Sequence, residues 1–416
     1  FLVIHGMLHL KGMKHSSTME RAEKFYSQKH DQKYFSRNRR RLLHDESRGG
    51  EFLKGEKNPK IIGVGESMSL GIRHGYVVDS FSLAKSIKSA VQMAEKSSGI
   101  KIRRAFVGVG GVTLRGENSS GSTIISKADG EVTTLDVNKA QEDAEENLNL
   151  NNKKVIQVSP LSFRLDGKEV LGRLEGMRGT KLEIKALFVT YSIQHLEDLL
   201  ATIADAGVET IDILPSSVAE SYIALSEKQK IVGVALVDIG HQTTSLSVFE
   251  NGLLTSIHTF SIGSADITND IALGLKIPLE EAESLKLGNI FQDYSKKKLD
   301  EIITARLLDI FELIENHLKK IRRSELLPAG IVFIGGGSNI PNLIEFSKST
   351  LRLPSSLGTT EIFGNLKTKL RDSSWFSALG LIISGRENSD YSRGSLANLF
   401  KDLKNTIKSS IKQLMP

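Results

Sequence analysis

The chain has 416 residues, 39% hydrophobic and 25% charged, with a formal net charge of +6 and no cysteine. It is too long for one core, because domains usually hold about 100–200 residues, and it excludes disulfides, thiolate catalysis and zinc–sulfur centres while suiting the cytosol. No run of about 18 apolar residues occurs, the opening Phe1-Leu2-Val3-Ile4 is too short for a signal peptide, and a charge excess this small is weak support for nucleic acid, which is not expected as a partner.

Residues 1–55 are a basic segment, with Lys14, Arg21, Lys24, Lys29, Lys33, Arg37, Arg39, Arg40 and Arg41 and little apolar periodicity. They read as a tail without a packed core, with a nucleic-acid arm as the alternative. Ordered patterning starts at Lys60-Ile61-Ile62-Gly63-Val64-Gly65, a predicted strand, followed by a second at Tyr76-Val77-Val78-Asp79. Residues 82–98 have helical spacing through Leu83, Ile87, Val91 and Ala94, and Gly99 stops them. Strands at 106–109 and 121–126 and a helix at 135–147 make 81–152 an inserted α+β module. Segments 56–80 and 153–230, with strands from 153 and 182 and a helix at 193–206, form the first lobe. The second opens with a buried strand at 231–237 and another at 245–249, turned by Asn251-Gly252. Its core takes in 231–265 and 326–365; 266–325 is helical, with helices at 267–275, 279–287 and 300–322. A buried strand at 331–334 follows. Residues 366–385 bring a helix back to the first lobe, 386–394 form a polar linker, and 395–416 a last helix.

Two glycine turns carry the chemistry. In Val237-Asp238-Ile239-Gly240-His241-Gln242-Thr243-Thr244 a buried strand meets an acid, a glycine and two hydroxyls. Backbone N–H groups around Gly240 can converge on a phosphate. Thr243 and Thr244 can donate to its oxygens, and Asp238 would hold Mg2+ through water, since Mg2+ keeps much of its hydration shell. A hairpin with a capping Asp is the plain alternative. The second turn, Ile334-Gly335-Gly336-Gly337-Ser338-Asn339-Ile340, also follows a buried strand, and Pro341 is placed to open a helix. Between the turns, Glu283 and Lys286 lie three apart on one helical face, which alone reads as a surface pair.

The order of these motifs resembles the actin-like ATPase superfamily. The resemblance implies an α/β fold of two actin-like lobes with an inserted small α+β subdomain and a C-terminal amphipathic helix. It makes Asp238 to Thr244 the second phosphate loop, Gly335, Gly336 and Gly337 the adenosine loop, and Glu283 with Lys286 the ribose-contacting helix. Ser69-Leu70-Gly71-Ile72-Arg73-His74-Gly75, Val158-Ser159-Pro160, Gly176-Met177-Arg178-Gly179 and Ile267-Thr268-Asn269-Asp270-Ile271-Ala272 are similar to the bacterial cell-division family FtsA. That resemblance, over about 60–385, implies ATP and Mg2+ as ligands and at most a weak ATPase serving assembly. It implies FtsZ, further copies of the chain, other division proteins and anionic inner-membrane lipids as partners, at the cytoplasmic face of the septum. A pilus-assembly adaptor of the PilM kind shares the inserted module; an actin-fold sugar kinase is the enzyme alternative, and no catalytic carboxylate is identified for it.

The superfamily's first phosphate turn, of the Asp-x-Gly-Thr type, is not found before Lys60. Where it belongs the chain reads Ser36-Arg37-Asn38-Arg39-Arg40-Arg41-Leu42-Leu43-His44-Asp45. Permitted codons for 36–50, read one base later, can encode Leu-Ala-Ile-Asp-Val-Gly-Tyr-Cys-Thr-Met-Lys-Val-Val-Val, so a compensated frameshift is expected there; the gene's codons decide it. As printed, the chain lacks one of two phosphate clamps and weak nucleotide binding is expected. At the other end, Leu396, Leu399, Phe400, Leu403, Ile407, Ile411 and Leu414 recur at three- and four-residue steps. Lys401, Lys404, Lys408 and Lys412 lie on other faces. The pattern suits an interfacial membrane helix, against the alternative of a helix packed on the domain.

Overall fold

The computed structural model describes residues 4–6, 61–170, 174, 176–289, 294–360 and 371–391, without the side chains of 4–6 and 385–391. The basic stretch at 36–50 and the helix expected at 395–416 lie outside the described residues.

The first lobe begins with β1 (Ile4–Gly6), β2 (Ile72–Arg73), β3 (Tyr76–Val77) and α1 (Ser80–Ser98). Asp79 caps α1 by accepting from Ser82 N at 3.2 Å, and Gly99, at φ +77°, ends it. The strand expected at 60–65 is not formed. Ser97 Oγ instead donates to Val64 O and accepts from Val64 N, and a Cβ on Gly65 would fall 1.8 Å from Ala90 O. The segment lies flat against the helix, and its backbone groups are met by a side chain rather than a ladder.

Next come β4 (Arg104–Val109), β5 (Arg115–Ile124), α2 (Thr134–Glu146), β6 (Lys153–Leu165), β7 (Lys168–Glu169), β8 (Lys181–Ser192), α3 (Ile193–Asp205), β9 (Glu209–Pro215) and α4 (Ser216–Ala224). β4 pairs with β1 and, in parallel, with β9. The module boundary read at 81–152 needs correction. Leu83, Ile87 and Val91 of α1 and Val107 of β4 belong to the first-lobe core, whereas Ala140 and Ala144 of α2 pack with Leu182, Ile184 and Phe188 of β8. The far end of β8, Val189 and Tyr191, enters the first-lobe core. One long strand serves two cores, so no loop marks the border.

The second lobe holds α5 (Glu227–Val232), β10 (Val234–Ile239), β11 (Thr244–Glu250), β12 (Leu253–Phe260), α6 (Ser264–Leu275), α7 (Leu279–Lys286), α8 (Lys296–Lys320), β13 (Ile331–Ile334), α9 (Leu343–Leu351), β14 (Ser355–Leu357) and α10 (Phe376–Tyr391). The strand expected at 231–237 starts only at Val234. Ser226 and Gln229 form a capping box that draws Ile231 and Val232 into α5, where both are more than half exposed. Gly233, at φ +110°, makes the break. The linker expected at 386–394 is helical through Tyr391. Pro341 precedes α9 by two residues rather than opening it. The sheet order is β14-β13-β10-β11-β12-β5-β8-β6-β7, with β13 parallel to β10.

Candidate functional site

The two glycine turns meet. Parallel pairing sets Asp238 opposite Ile334, so the chain leaves both strands at the same edge. Gly335 has φ +81°, and a Cβ there would lie 2.0 Å from Asp238 Oδ1. A Cβ on Gly337 would lie 2.3 Å from Ile239 Cγ2, whereas one on the exposed Gly336 would meet nothing within 4 Å. Gly335 and Gly337 are thus required by close approach to β10. Gly336 leaves a bare stretch of backbone facing outward.

The turn at Gly240 is closed by Gly240 N donating to Thr243 O at 2.9 Å. The start of α6 docks beneath it, Ser264 N and Ala265 N donating to Gly240 O and His241 O at 2.8 Å each. Thr244 is fully buried and donates to Ile262 O at 2.8 Å, so its hydroxyl secures the turn. Thr243 is half-buried and its hydroxyl makes no hydrogen bond among the described residues. It is the one of the pair placed to reach a ligand. Burial pushes the Asp238 carboxyl above the ordinary carboxylate range.

Lys286 is 2% exposed. Its ammonium has three protons to donate, and three acceptors surround it: Glu283 Oε2 at 2.7 Å, Thr268 Oγ1 at 3.0 Å and Ser264 O at 3.2 Å. It bolts α7 to α6 under the Gly240 turn. Glu283 stays half-exposed, its carboxyl held down by Lys286 and Thr268 against the upward pull of burial.

The facing wall comes from the first lobe and was missed at the level of sequence. His74 N donates to Gln242 Oε1 at 2.9 Å, and His74 Nδ1 lies 3.1 Å from Gln242 O. Behind it, Gly75 and Gly111 touch so closely that a Cβ on Gly75 would lie 2.3 Å from Gly111 Cα. Tyr191 donates to Gly75 O at 3.1 Å or Gly110 O at 3.0 Å. The signal was present as Gly110-Gly111 directly after a strand. The contact with Gln242 joins segments 168 positions apart, and no local pattern announces it.

Comparison with known proteins decides the family. The cell division protein FtsA of Bacillus subtilis strain 168 is 30% identical over 344 residues, which cover 77% of each chain. The chain belongs to the FtsA family. The FtsA of Pseudomonas aeruginosa is 28% identical over 348 residues, 78% of this chain and 83% of that protein. The family model for cell division protein FtsA matches residues 235–380, which hold both glycine turns, and that for the SHS2 domain inserted in FtsA matches 111–190. The second match agrees with the packing border rather than with 81–152. Among solved structures, the PilM-PilN type IV pilus biogenesis complex superposes with a TM-score of 0.57 at 16% identity, covering 79% of this chain and 99% of that one. That likeness supports the actin-like fold expected from the sequence and carries nothing about partners.

Proposed function

We propose that this FtsA-family chain is a membrane adaptor of cell division. It binds ATP with Mg2+ between its lobes, weakly in this chain because the first phosphate turn is missing, anchors FtsZ filaments to the cytoplasmic face of the membrane and recruits later division proteins to the septum. The observation that carries the nucleotide part is the convergence of the Asp238 turn and the Gly335 loop at one sheet edge. Asp238 would hold Mg2+ through water, Gly240 and Thr243 the phosphates, and Gly336 with Glu283 the nucleoside. The donors suit the ion: a carboxylate and hydroxyls are hard oxygen ligands. Thr244 and Lys286 act one step back, fixing the turn and the helix that bears Glu283.

Membrane attachment falls to 395–416. Among the described residues no helix is long and apolar enough to cross a membrane, and the stripe from Leu396 to Leu414 has an interfacial pattern. Fully burying one such side chain is worth about 1.5–3 kcal/mol, and each lysine near anionic lipid adds about 1 kcal/mol. The test is co-sedimentation with FtsZ on anionic vesicles. The full chain should carry FtsZ into the pellet, and deletion of 395–416 should leave both in the supernatant. Sedimentation unchanged by the deletion would refute the anchor; a full chain that pellets without FtsZ would refute the adaptor role.

A further inference from the structure

Among the described residues β12 and β5 pair only at His258 opposite Arg115. A Cβ on Gly116 would lie 3.0 Å from Ile257 Cγ2, so the strands still touch one residue further on. Beyond that point a cleft of about 820 Å³ lies between them. Glu117 and Asn118 of β5 both line it, as do Thr255 and Ser256 of β12. Consecutive side chains leave opposite faces of a strand, so the cleft runs along two strand edges rather than over a sheet face. Such edges carry main-chain N–H and C=O groups without a ladder. On β5 the free stretch ends at Ser120, whose carbonyl accepts from Asn147 Nδ2 just beyond α2 at 3.2 Å. The walls are positive: Arg115, Lys153, Lys185, Lys320 and Arg323 face only Glu117 and Glu250. Lys153 and Arg323 take those two carboxylates at 2.9 Å and 2.7 Å. Lys185 and Lys320 have no acceptor among the described residues. The half-buried Arg115 donates only to main-chain carbonyls, Thr259 O at 2.6 Å and Leu114 O at 3.2 Å. Burial first, then positive charge that includes Arg115 and Lys320, pushes the His258 and His317 rings below the ordinary imidazole range.

We propose that this cleft, between the inserted module and the second lobe, receives an acidic segment of a partner protein as an added strand along the free edge of β5. Main-chain groups of the edge supply affinity, and Arg115, Lys185 and Lys320 select for carboxylates. Lys185 lies opposite Ser120, five residues along β5 from Arg115, which is about 17 Å at the rise of a strand. A lone phosphate or carboxylate does not span that distance, whereas an extended chain does. The lining has no Phe, Tyr or Trp on which bases could stack, and its two glutamates oppose a phosphate backbone, so a peptide suits it better than a nucleic acid. The cleft shares no residue with the two glycine turns, so the proposal does not rest on the nucleotide reading.

The probe is a fluorescein-labelled peptide alternating glutamate and threonine, long enough to span Arg115 and Lys185, titrated with the full chain and read by anisotropy. Binding should be saturable, should weaken as salt rises, and should be lost when glutamine replaces glutamate in the peptide. Lys185→Glu and Lys320→Glu stand at exposed positions, where substitutions rarely disturb folding. Each should weaken binding by about tenfold, since attraction becomes repulsion, with the melting curve left in place. Absent binding, equal binding of the glutamine peptide, or wild-type affinity in both variants would overturn the proposal. So would an oligothymidylate that binds as tightly and displaces the peptide, which would make the cleft a nucleic-acid site. Dimers in sedimentation that Lys185→Glu abolishes would overturn it in favour of a second copy of the chain. The assay contains neither FtsZ, lipid nor nucleotide, so its failure leaves the adaptor reading standing, and failed co-sedimentation leaves the cleft standing.

Discussion

Gly335 and Gly336 are neighbours with different reasons to be glycine. Gly335 combines a left-handed backbone with a Cβ position 2.0 Å from Asp238 Oδ1 and 2.7 Å from Ile239 O. Alanine there forces either the loop or the Asp238 carboxylate to move. Gly335→Ala should destabilise the chain by about 1–3 kcal/mol, from the positive φ and the overlap together, and should weaken ATP binding. Gly336→Ala meets open space and should change stability by less than about 0.5 kcal/mol. If the nucleoside lies over Gly336, that variant still loses ATP affinity. Chemical denaturation and nucleotide titration of the pair check this; a Gly335→Ala protein with the wild-type midpoint would sink the close-approach argument. The turns were legible in the sequence because each joins a buried strand to glycines within a few residues. Lys286 was only half legible. The spacing to Glu283 is local, but its three acceptors include Ser264 and Thr268 on another helix. Glu220 gave no signal at all: an acid on a short helix reads as solvent-facing, and the Ser377 hydroxyl that meets it lies 157 positions further along the chain.

At the scale of elements, periodicity located helices well where one face is buried and capped, as in α1. It failed where a β-branched pair continues a capped helix, as at Ile231 and Val232, because side-chain preference there is weaker than the capping box behind it. The module border failed for a different reason. β8 changes cores partway along its length, and hydrophobic alternation does not say which core a residue enters. The crossing of α4 and α10 gives a further prediction. Gly380 falls within the helix that the sequence returns to the first lobe, and a Cβ on it would lie 1.9 Å from Ala219 O, so it sets the distance between the two connections of the lobes. Gly380→Ala should cost about 1–3 kcal/mol through overpacking, although alanine is the better helix former. A midpoint in urea equal to or above that of the wild type would show that the crossing tolerates separation.

At the scale of the whole molecule, the second lobe and the inserted module share a sheet through one strand pair, His258 opposite Arg115. Beyond it the strands border a cleft of about 820 Å³, lined by His317, Lys320, Lys185, Lys153, Glu117 and Glu250 among others. The His258 and His317 rings stack at 4.7 Å, and His317 Nε2 lies 2.9 Å from Ser256 Oγ. Arg115 donates to Thr259 O at 2.6 Å. Burial first, then Arg115, the other imidazole and Lys320 push His258 down to about 3; burial, then Lys320 and Arg115, push His317 down to about 4. Both rings are uncharged in the folded chain at neutral pH and would protonate near 6.5 when unfolded. Below 6.5 the unfolded chain binds more protons, so these two groups contribute stability that is complete above 6.5 and declines as pH falls toward 4. Asp212, raised by burial to about 6, and the raised Asp238 and Glu220 act in the opposite sense over part of that range. The raw slope is therefore a balance, and the variant comparison isolates the histidines. A His258→Gln, His317→Gln double variant should lose less melting temperature than the wild type between pH 7 and pH 5, measured by differential scanning calorimetry. Parallel curves for the two proteins would mean that the imidazoles reach solvent and that the seam opens in solution. Divergence in the stated direction would mean that the module and the second lobe stay closed on one another through a pair of neutral rings.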